Sequence, residues 1–328
     1  MMKKTIALIL ALVLALSMLT VASAEEPKAL KTGLAIVTNL KDSKDAEKAA
    51  YDMTLVAVLV DDEGVIHDCK IDSVGATVNF DATGAITSDV NAAVLSKNEL
   101  GADYGMVAWG GAVAEWDAQA DALAQFAIGK TVAEFKAGAI DETGKAPAGS
   151  DLATTATIYL GGYVNAVEIA ATYAQHLGAK EGDNVKLAVV SDLADSKAAT
   201  ADAAGLAQLY LQAIALSEKD GVITSAYINA VQAKVNFDAT GKITTDLTAP
   251  VLSKNQLGEK YGMVAYGGAI AEWDQQAASF CQYITGKTAE EVAGIAVNEK
   301  TAPTDADLTA TVTIKIGDFK TLVEKAMK

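Results

Sequence analysis

The chain contains no arginine. This removes the planar guanidinium fork that holds phosphate and carboxylate groups two bonds at a time. Acidic residues outnumber lysines by 42 to 26, so clustered cations for a nucleic-acid backbone are also missing. There are two histidines, His67 and His176, and two cysteines, Cys69 and Cys281. His67 and Cys69 alternate onto one strand face, a spacing a metal site could use, but no further histidine supports them. No serine or cysteine has a histidine base that recurs with it, which argues against a hydrolytic triad. "GKT" at Gly129 and Gly286 lacks the earlier glycine of a phosphate-binding loop. Side-chain catalysis is therefore disfavoured, and any chemistry here would have to come from a bound cofactor.

A long apolar run occurs only at the start. "MMKK" precedes "TIALILALVLALSMLTV" and the small-residue signal "ASA", which together read as a secretory leader. Cleavage near Ala24 would give a secreted or extracytoplasmic protein, and losing Lys3 and Lys4 takes the formal charge from −16 to −18. The nearest cysteine to that point is Cys69, so no lipid-bearing cysteine stands there. No later run reaches the roughly 18–20 residues of a membrane span. Cys69 and Cys281 could pair in an oxidising compartment or stay as two buried thiols.

What the sequence does have is itself, twice. Residues 79–131 match 236–288 without a gap, 35 of 53 positions being identical. "YGMVAWGGAVAEWDAQA" from Tyr104 returns as "YGMVAYGGAIAEWDQQA" from Tyr261, and "LAIVTNLKDSK" from Leu34 returns as "LAVVSDLADSK" from Leu187. The expected division is a leader over 1–24, a linker over 25–32, one unit over 33–175, a linker over 176–185 and a second unit over 186–328. Each unit is long enough to be a domain, so the repeat is a duplicated domain and not a solenoid.

Within a unit, two strand-like runs flank turns ending at Gly64 or Gly221, and a further hairpin turns at Gly84 or Gly241. Trp116, Ala120, Leu123 and Ala127 recur at helical spacing, as do Trp273, Ala277, Phe280 and Ile284. Gly129 and Gly286 stop that helix, and "TVAE" at Thr131 and "TAEE" at Thr288 are capping boxes for the next. "TATIYL" and "TVTIKI" read as a strand, followed by a last helix. The expected class is α+β: two tandem copies of an antiparallel sheet packed by helices.

The repeated phrase offers one candidate site per unit. Trp116 and Trp273 lie on the apolar helix stripe and read as core, with Glu115, Asp117, Glu272 and Asp274 facing solvent. Gly110–Gly111 and Gly267–Gly268 have two readings, a tight turn or an amide cradle for an anion at a helix N-terminus. Trp109 and Tyr266, just before them, could stack on a planar ligand or plug the core. Lys97, Lys254, Lys130 and Lys287 are shared cations, read as solvated or as phosphate partners.

"TDADLTATVTIKIGDFKTLVEKAM" from Thr304 resembles the closing motif of FMN-binding domains, and "VAVLVDDEGVIHDCKIDSV" resembles that family's strand pair. The resemblance implies extracytoplasmic flavoproteins, electron transfer to a redox partner, and FMN attached through its phosphate to a threonine. Carried over, Thr311 and Thr155 are the attachment residues, with Thr313 and Thr157 beside them. The motif's glycine is replaced by Thr309 and Ala153, and its hydroxyl residue by Leu308 and Leu152. Two functions therefore follow: a secreted FMN-binding electron carrier, or a non-enzymatic cell-surface or secreted binding protein that keeps the fold without flavin. A solute-binding protein is a weaker third, since the alternating parallel-strand units of such lobes are missing.

Overall fold

A computed structural model describes residues 26–328; the leader expected over 1–24 lies outside the described residues. The first unit opens with an antiparallel sheet, β1 (Lys31–Asn39), β2 (Lys48–Val60) and β3 (Ile66–Asn79), with β2 in the middle. Six helices follow: α1 (Lys97–Leu100), α2 (Met106–Gly110), α3 (Trp116–Ala127), α4 (Val132–Ala139), α5 (Asp151–Thr155) and α6 (Gly161–Thr172). The second unit repeats the order. Its strands are β4 (Asn184–Asp192), β5 (Gly205–Lys219) and β6 (Val222–Phe237). Its helices are α7 (Lys254–Leu257), α8 (Met263–Gly267), α9 (Trp273–Ile284), α10 (Ala289–Ala293), α11 (Ala306–Thr309) and α12 (Gly317–Ala326). The class is α+β, two sheet-and-helix units in tandem.

The central strands explain the architecture. "LVAVLV" of β2, Leu55 to Val60, is buried at every position, which a half-exposed strand cannot be. Met53, Leu55, Ala57 and Leu59 point to one face and enter a single core with Leu209, Leu211, Ala213 and Ala215 of β5. Val56 and Val58 point the other way, against Trp116, Leu123, Phe135 and Val167 of their own helices. Ile214 and Leu216 do the same with Trp273, Phe280, Phe319 and Leu322. The result is four layers, helices–sheet–sheet–helices. β1 lies against β6, β2 against β5 and β3 against β4, as a two-fold relation between the copies requires.

The seam between the units is hydrogen-bonded in matching pairs. Ala46 N donates to Gly241 O (2.7 Å), and its counterpart Ala199 N donates to Gly84 O (2.9 Å). The Thr32 and Ser225 hydroxyls meet at 2.6 Å in the buried interior. The two segments expected as linkers also pair, Leu30 N donating to Ala179 O, and Thr32 N donates to Gln175 O at the end of the first unit, each at 2.8 Å. The strand expected over "TATIYL" and "TVTIKI" is not formed. α5 occupies Asp151–Thr155, and irregular backbone follows. Side chains take the ladder's place: Gln119 Oε1 accepts from Thr157 N (2.8 Å) and Ile158 N (3.2 Å), and Gln276 does the same for Thr313 and Ile314. The Thr/apolar alternation is real, but it reports every second residue turned inward, not sheet pairing.

At one end of the seam Phe80 and Phe237, equivalent residues, stack with centroids 4.0 Å apart and planes 1° from parallel. Both are buried. Phe80→Ala should lower the unfolding free energy by about 3–5 kcal/mol in urea titration. A loss below about 1 kcal/mol would place this contact outside the core's cooperative unit.

Candidate functional site

In the repeated phrase, a one-turn helix sits at the surface, hydrogen-bonded at both ends. α2 ends at Gly111, whose φ of +62° is left-handed, with its amide returning to Met106 and Val107 carbonyls. α8 ends identically at Gly268, φ +62°. That conformation is the reason for the second glycine of each pair. The first has no such reason: a Cβ on Gly110 or Gly267 would meet open space.

The amides that open α2 and α8, ahead of the glycines, are occupied by the protein's own carboxylates, while α3, the helix after Gly110–Gly111, starts without a side-chain cap. Glu115 accepts from Met106 N (2.8 Å) and Val107 N (3.1 Å). Glu272 accepts from Met263 N (2.8 Å) and Val264 N (3.0 Å). The glycines sit at the far end of α2 and α8, and the anion at the near end is the protein's own. Glu272 is accordingly buried, contrary to the solvent-facing position expected of it. Its role left a trace in the sequence, the strict recurrence of Glu nine residues after Met106 and Met263.

Trp109 and Tyr266 are not core plugs. They are 89% and 92% exposed, and each ring lies over the glycine four residues earlier, Gly105 or Gly262. Val107 and Val113 flank one aromatic, and Val264 and Ile270 flank the other, all exposed. Trp116 and Trp273, by contrast, are in the core as their helical spacing predicts.

The threonines lie close to these loops. Gln119 is fully buried and joins the two segments. Its Nε2 donates to Ala114 O (2.8 Å) in the loop after the glycines, while its Oε1 holds Thr157. Gln276 bridges Ala271 and Thr313 in the same way. Thr155 and Thr311 are exposed, and their hydroxyls donate to Leu152 O (3.2 Å) and Leu308 O (3.4 Å). Five clefts of the protein are lined by other residues than these threonines, glycines and exposed aromatics. The nearby amides of Thr157, Ile158, Thr313 and Ile314 are taken by glutamine. The residues present therefore fit a surface tether for FMN and do not fit a buried flavin with a cradled phosphate.

The shared lysines also differ from the solvated reading. Lys254 is 5% exposed. Its Nζ stands 4.7–4.8 Å from the ring centres of Tyr210, Tyr261 and Trp273, and donates to the Tyr210 hydroxyl at 3.0 Å. Burial pushes its pKa down to about 8, with the Lys234 charge adding to the effect. An aromatic cage suits an ammonium. In the first unit Asp52 stands where β5 has Tyr210, and Lys97 keeps two rings, Tyr104 and Trp116, at 5.1 and 5.0 Å. Lys130 and Lys287 sit over Phe126 and Tyr283.

Cys69 and Cys281 are both buried free thiols, in the two opposite helix–sheet cores. Burial pushes the Cys281 thiol up to about 12, so neither is poised for reaction. His67 turns to Asp61 (3.2 Å), and no metal-binding cluster occurs among the described residues.

The serine that caps α1 and α7 reaches a residue that the two units do not share. In the first unit it is Asp72, 4% exposed. Burial raises its pKa to about 6, against the pull of the Ser96 hydroxyl and the Asn98 and Ser73 amides. In the second unit it is Asn229, which accepts from Ala230 N (2.8 Å) and donates to Ser253 Oγ (3.0 Å). Asp72 keeps its proton to a higher pH when folded than the 3.8 expected when unfolded, so its contribution falls as pH rises from about 4 to about 6 and stays lost above. Asp72→Asn should therefore raise stability by about 1–3 kcal/mol at pH 7 and leave it unchanged below about pH 4. Urea titrations at the two pH values check this; an equal effect at both would remove titration as the cause.

Comparison with protein-family models, curated proteins and solved structures finds no match to this chain.

Proposed function

We propose that the chain is a non-enzymatic binding protein acting outside the cytoplasmic membrane, with two equivalent contact loops built around Trp109 and Tyr266. The observation that supports this is their near-complete exposure in both copies, on a support held by Glu115 and Gln119 or Glu272 and Gln276. A large aromatic kept in water on a hydrogen-bonded base, with apolar neighbours, has the character of an interaction surface. Gly110 and Gly267 fit the same reading, since a bare backbone beside the ring lets a partner approach closely. A leader of the kind expected over 1–24 would carry this surface outside the cell. Two loops on one chain would also raise avidity where a partner repeats.

A second reading, an extracytoplasmic electron carrier with FMN tethered at Thr155 or Thr311, is favoured by the exposure of those hydroxyls beside the aromatic loops. The flavin would supply the redox chemistry, and the chain would hold the segment just after the attachment threonine in place through Gln119 or Gln276.

Two measurements on the mature protein separate these readings. Intact mass and visible absorption, after production with a flavin transferase, should give the bare mass and no colour. An added mass of one or two FMN units with flavin absorbance would establish the second reading. Sedimentation with envelope fragments of the producing cell should retain the protein, and W109A/Y266A should reduce retention about tenfold at unchanged melting temperature. Equal retention of both proteins, or none of either, would overturn the contact-loop reading.

A further inference from the structure

The two contact loops share a backbone and differ in their surroundings. Between Asn98 and Asp121, the stretch that carries Trp109, there are five carboxylates and no lysine. Between Asn255 and Ala278, the stretch that carries Tyr266, there are three carboxylates and one lysine. The whole chain has 42 acidic residues against 26 lysines, so the acidic excess is concentrated at the loops, and most of all at the first. Lys97 and Lys254, just ahead of these stretches, turn inward over aromatic rings. Gln119 ties an uncharged segment, 155–160, beside the first loop. The segment that Gln276 ties beside the second carries Lys315, which is exposed, as is Lys260.

Of the five carboxylates at the first loop, Glu99 is paired with Lys325, and Glu115 accepts from the two amides of α2. Asp103, Asp117 and Asp121 have no ion-pair partner among the described residues. Lys70 shares a cleft with Asp117 and Asp121 and pairs with neither. Asp103 and Asp121 are exposed. From Gly105 to Ala114 no side chain other than the Trp109 indole carries a nitrogen or oxygen. A sugar, whose hydroxyls need hydrogen-bonding side chains, finds only backbone there. An anionic surface meets like charge. An aromatic face with aliphatic neighbours and unpaired carboxylates on the same stretch complements a lysine or arginine, which is an apolar stem ending in a cation.

We propose that the partner of these loops is a basic segment of another protein, and that the first loop is its principal receptor. The inference rests on the contact-loop reading of Trp109 and Tyr266. The Trp109 ring, with Val107 and Val113, covers the stem of a lysine or arginine, and Asp103, Asp117 and Asp121 supply the opposite charge. The second loop adds a weaker contact through Tyr266. The fold lets one partner reach both. β1 lies against β6 and β3 against β4, so the two-fold between the units runs along the strands and equivalent ends point the same way, as the Phe80–Phe237 stack requires. Gly129 N and Gly286 N donate to Ile66 O and Ile223 O, each at 2.8 Å, at the other end of β3 and β6. α3 and α9 therefore begin toward the Phe80–Phe237 end, and both loops, which precede them, lie on that side.

Isothermal titration of the mature protein at low salt with an oligolysine peptide tests the proposal, with oligoglutamate as the charge-reversed control. Oligolysine should bind with a Kd below about 1 mM, more weakly as salt is raised, and oligoglutamate should not bind. Trp109→Ala should weaken binding about threefold or more and Tyr266→Ala by less, since indole is the better partner for a cation. D103N/D121N, at exposed positions, should weaken it about twofold or more at unchanged melting temperature. No binding of oligolysine, equal binding by the Trp109 variant, or a larger loss from Tyr266→Ala would overturn the assignment. So would retention on zwitterionic lipid vesicles or on a neutral glucan that depends on the two aromatics while oligolysine fails to bind. Envelope retention that W109A/Y266A reduces, with no oligolysine binding, would overturn the basic partner alone and leave the contact loops standing.

Discussion

The contact on which everything else depends is the burial of one sheet by the other. A three-stranded sheet with apolar side chains on both faces cannot be satisfied by helices on one side. β2 and β5 carry such runs, and the second face of each is closed by its copy. The hydrophobic effect supplies about 1.5–3 kcal/mol for each fully buried Leu, Val or Phe, and the shared core collects many of them. The seam hydrogen bonds at Ala46 and Ala199, and the Phe80–Phe237 stack, then fix how the sheets meet. The helices hang on the outer faces, and the loops of the repeated phrase are carried on the helices.

Much of this was readable in the residues. The stripe Trp116–Ala120–Leu123–Ala127 gave the helix and its buried face, Thr131 and Thr288 gave real capping boxes, and Gly64, Gly221, Gly84 and Gly241 all adopt positive φ. These features are local, and local chemistry decides them. The missing strand at 155–160 shows where locality ends. A threonine alternation is compatible with a ladder until Gln119, 38 residues earlier, takes the amide of Thr157. The exposure of Trp109 and Tyr266 was equally hidden, since an aromatic before two glycines suits a core plug or a surface. Glu115 and Glu272 look solvent-facing in the sequence because no neighbour there reveals the amides they hold.

Duplication also explains how the two halves came to differ without loss of fold. Positions in the shared core keep their apolar character more than their identity, Tyr51, Met53 and Leu55 standing where β5 has Leu209, Leu211 and Ala213. Positions at the clefts and cages are freer. Asp52 and Tyr210, Asp72 and Asn229, Glu99 and Gln256, and Lys325 and Ile169 each place different chemistry on an equivalent backbone. The cleft at the first unit's capping segment keeps its charges and the brace from Lys325 to Glu99. The second unit keeps a caged lysine and, at its own capping segment, an uncharged cleft. The contact loops, in contrast, retain their glycines, glutamate and outward aromatic in both units.

The most direct test of the shared core is to make residues 26–182 and 183–328 as separate chains. The account predicts that neither alone unfolds cooperatively as a monomer, and that mixing them at equal concentration restores one complex with a single thermal transition. A half that is monomeric and cooperatively folded by itself would contradict it, because its inner sheet face would then be stable without its copy.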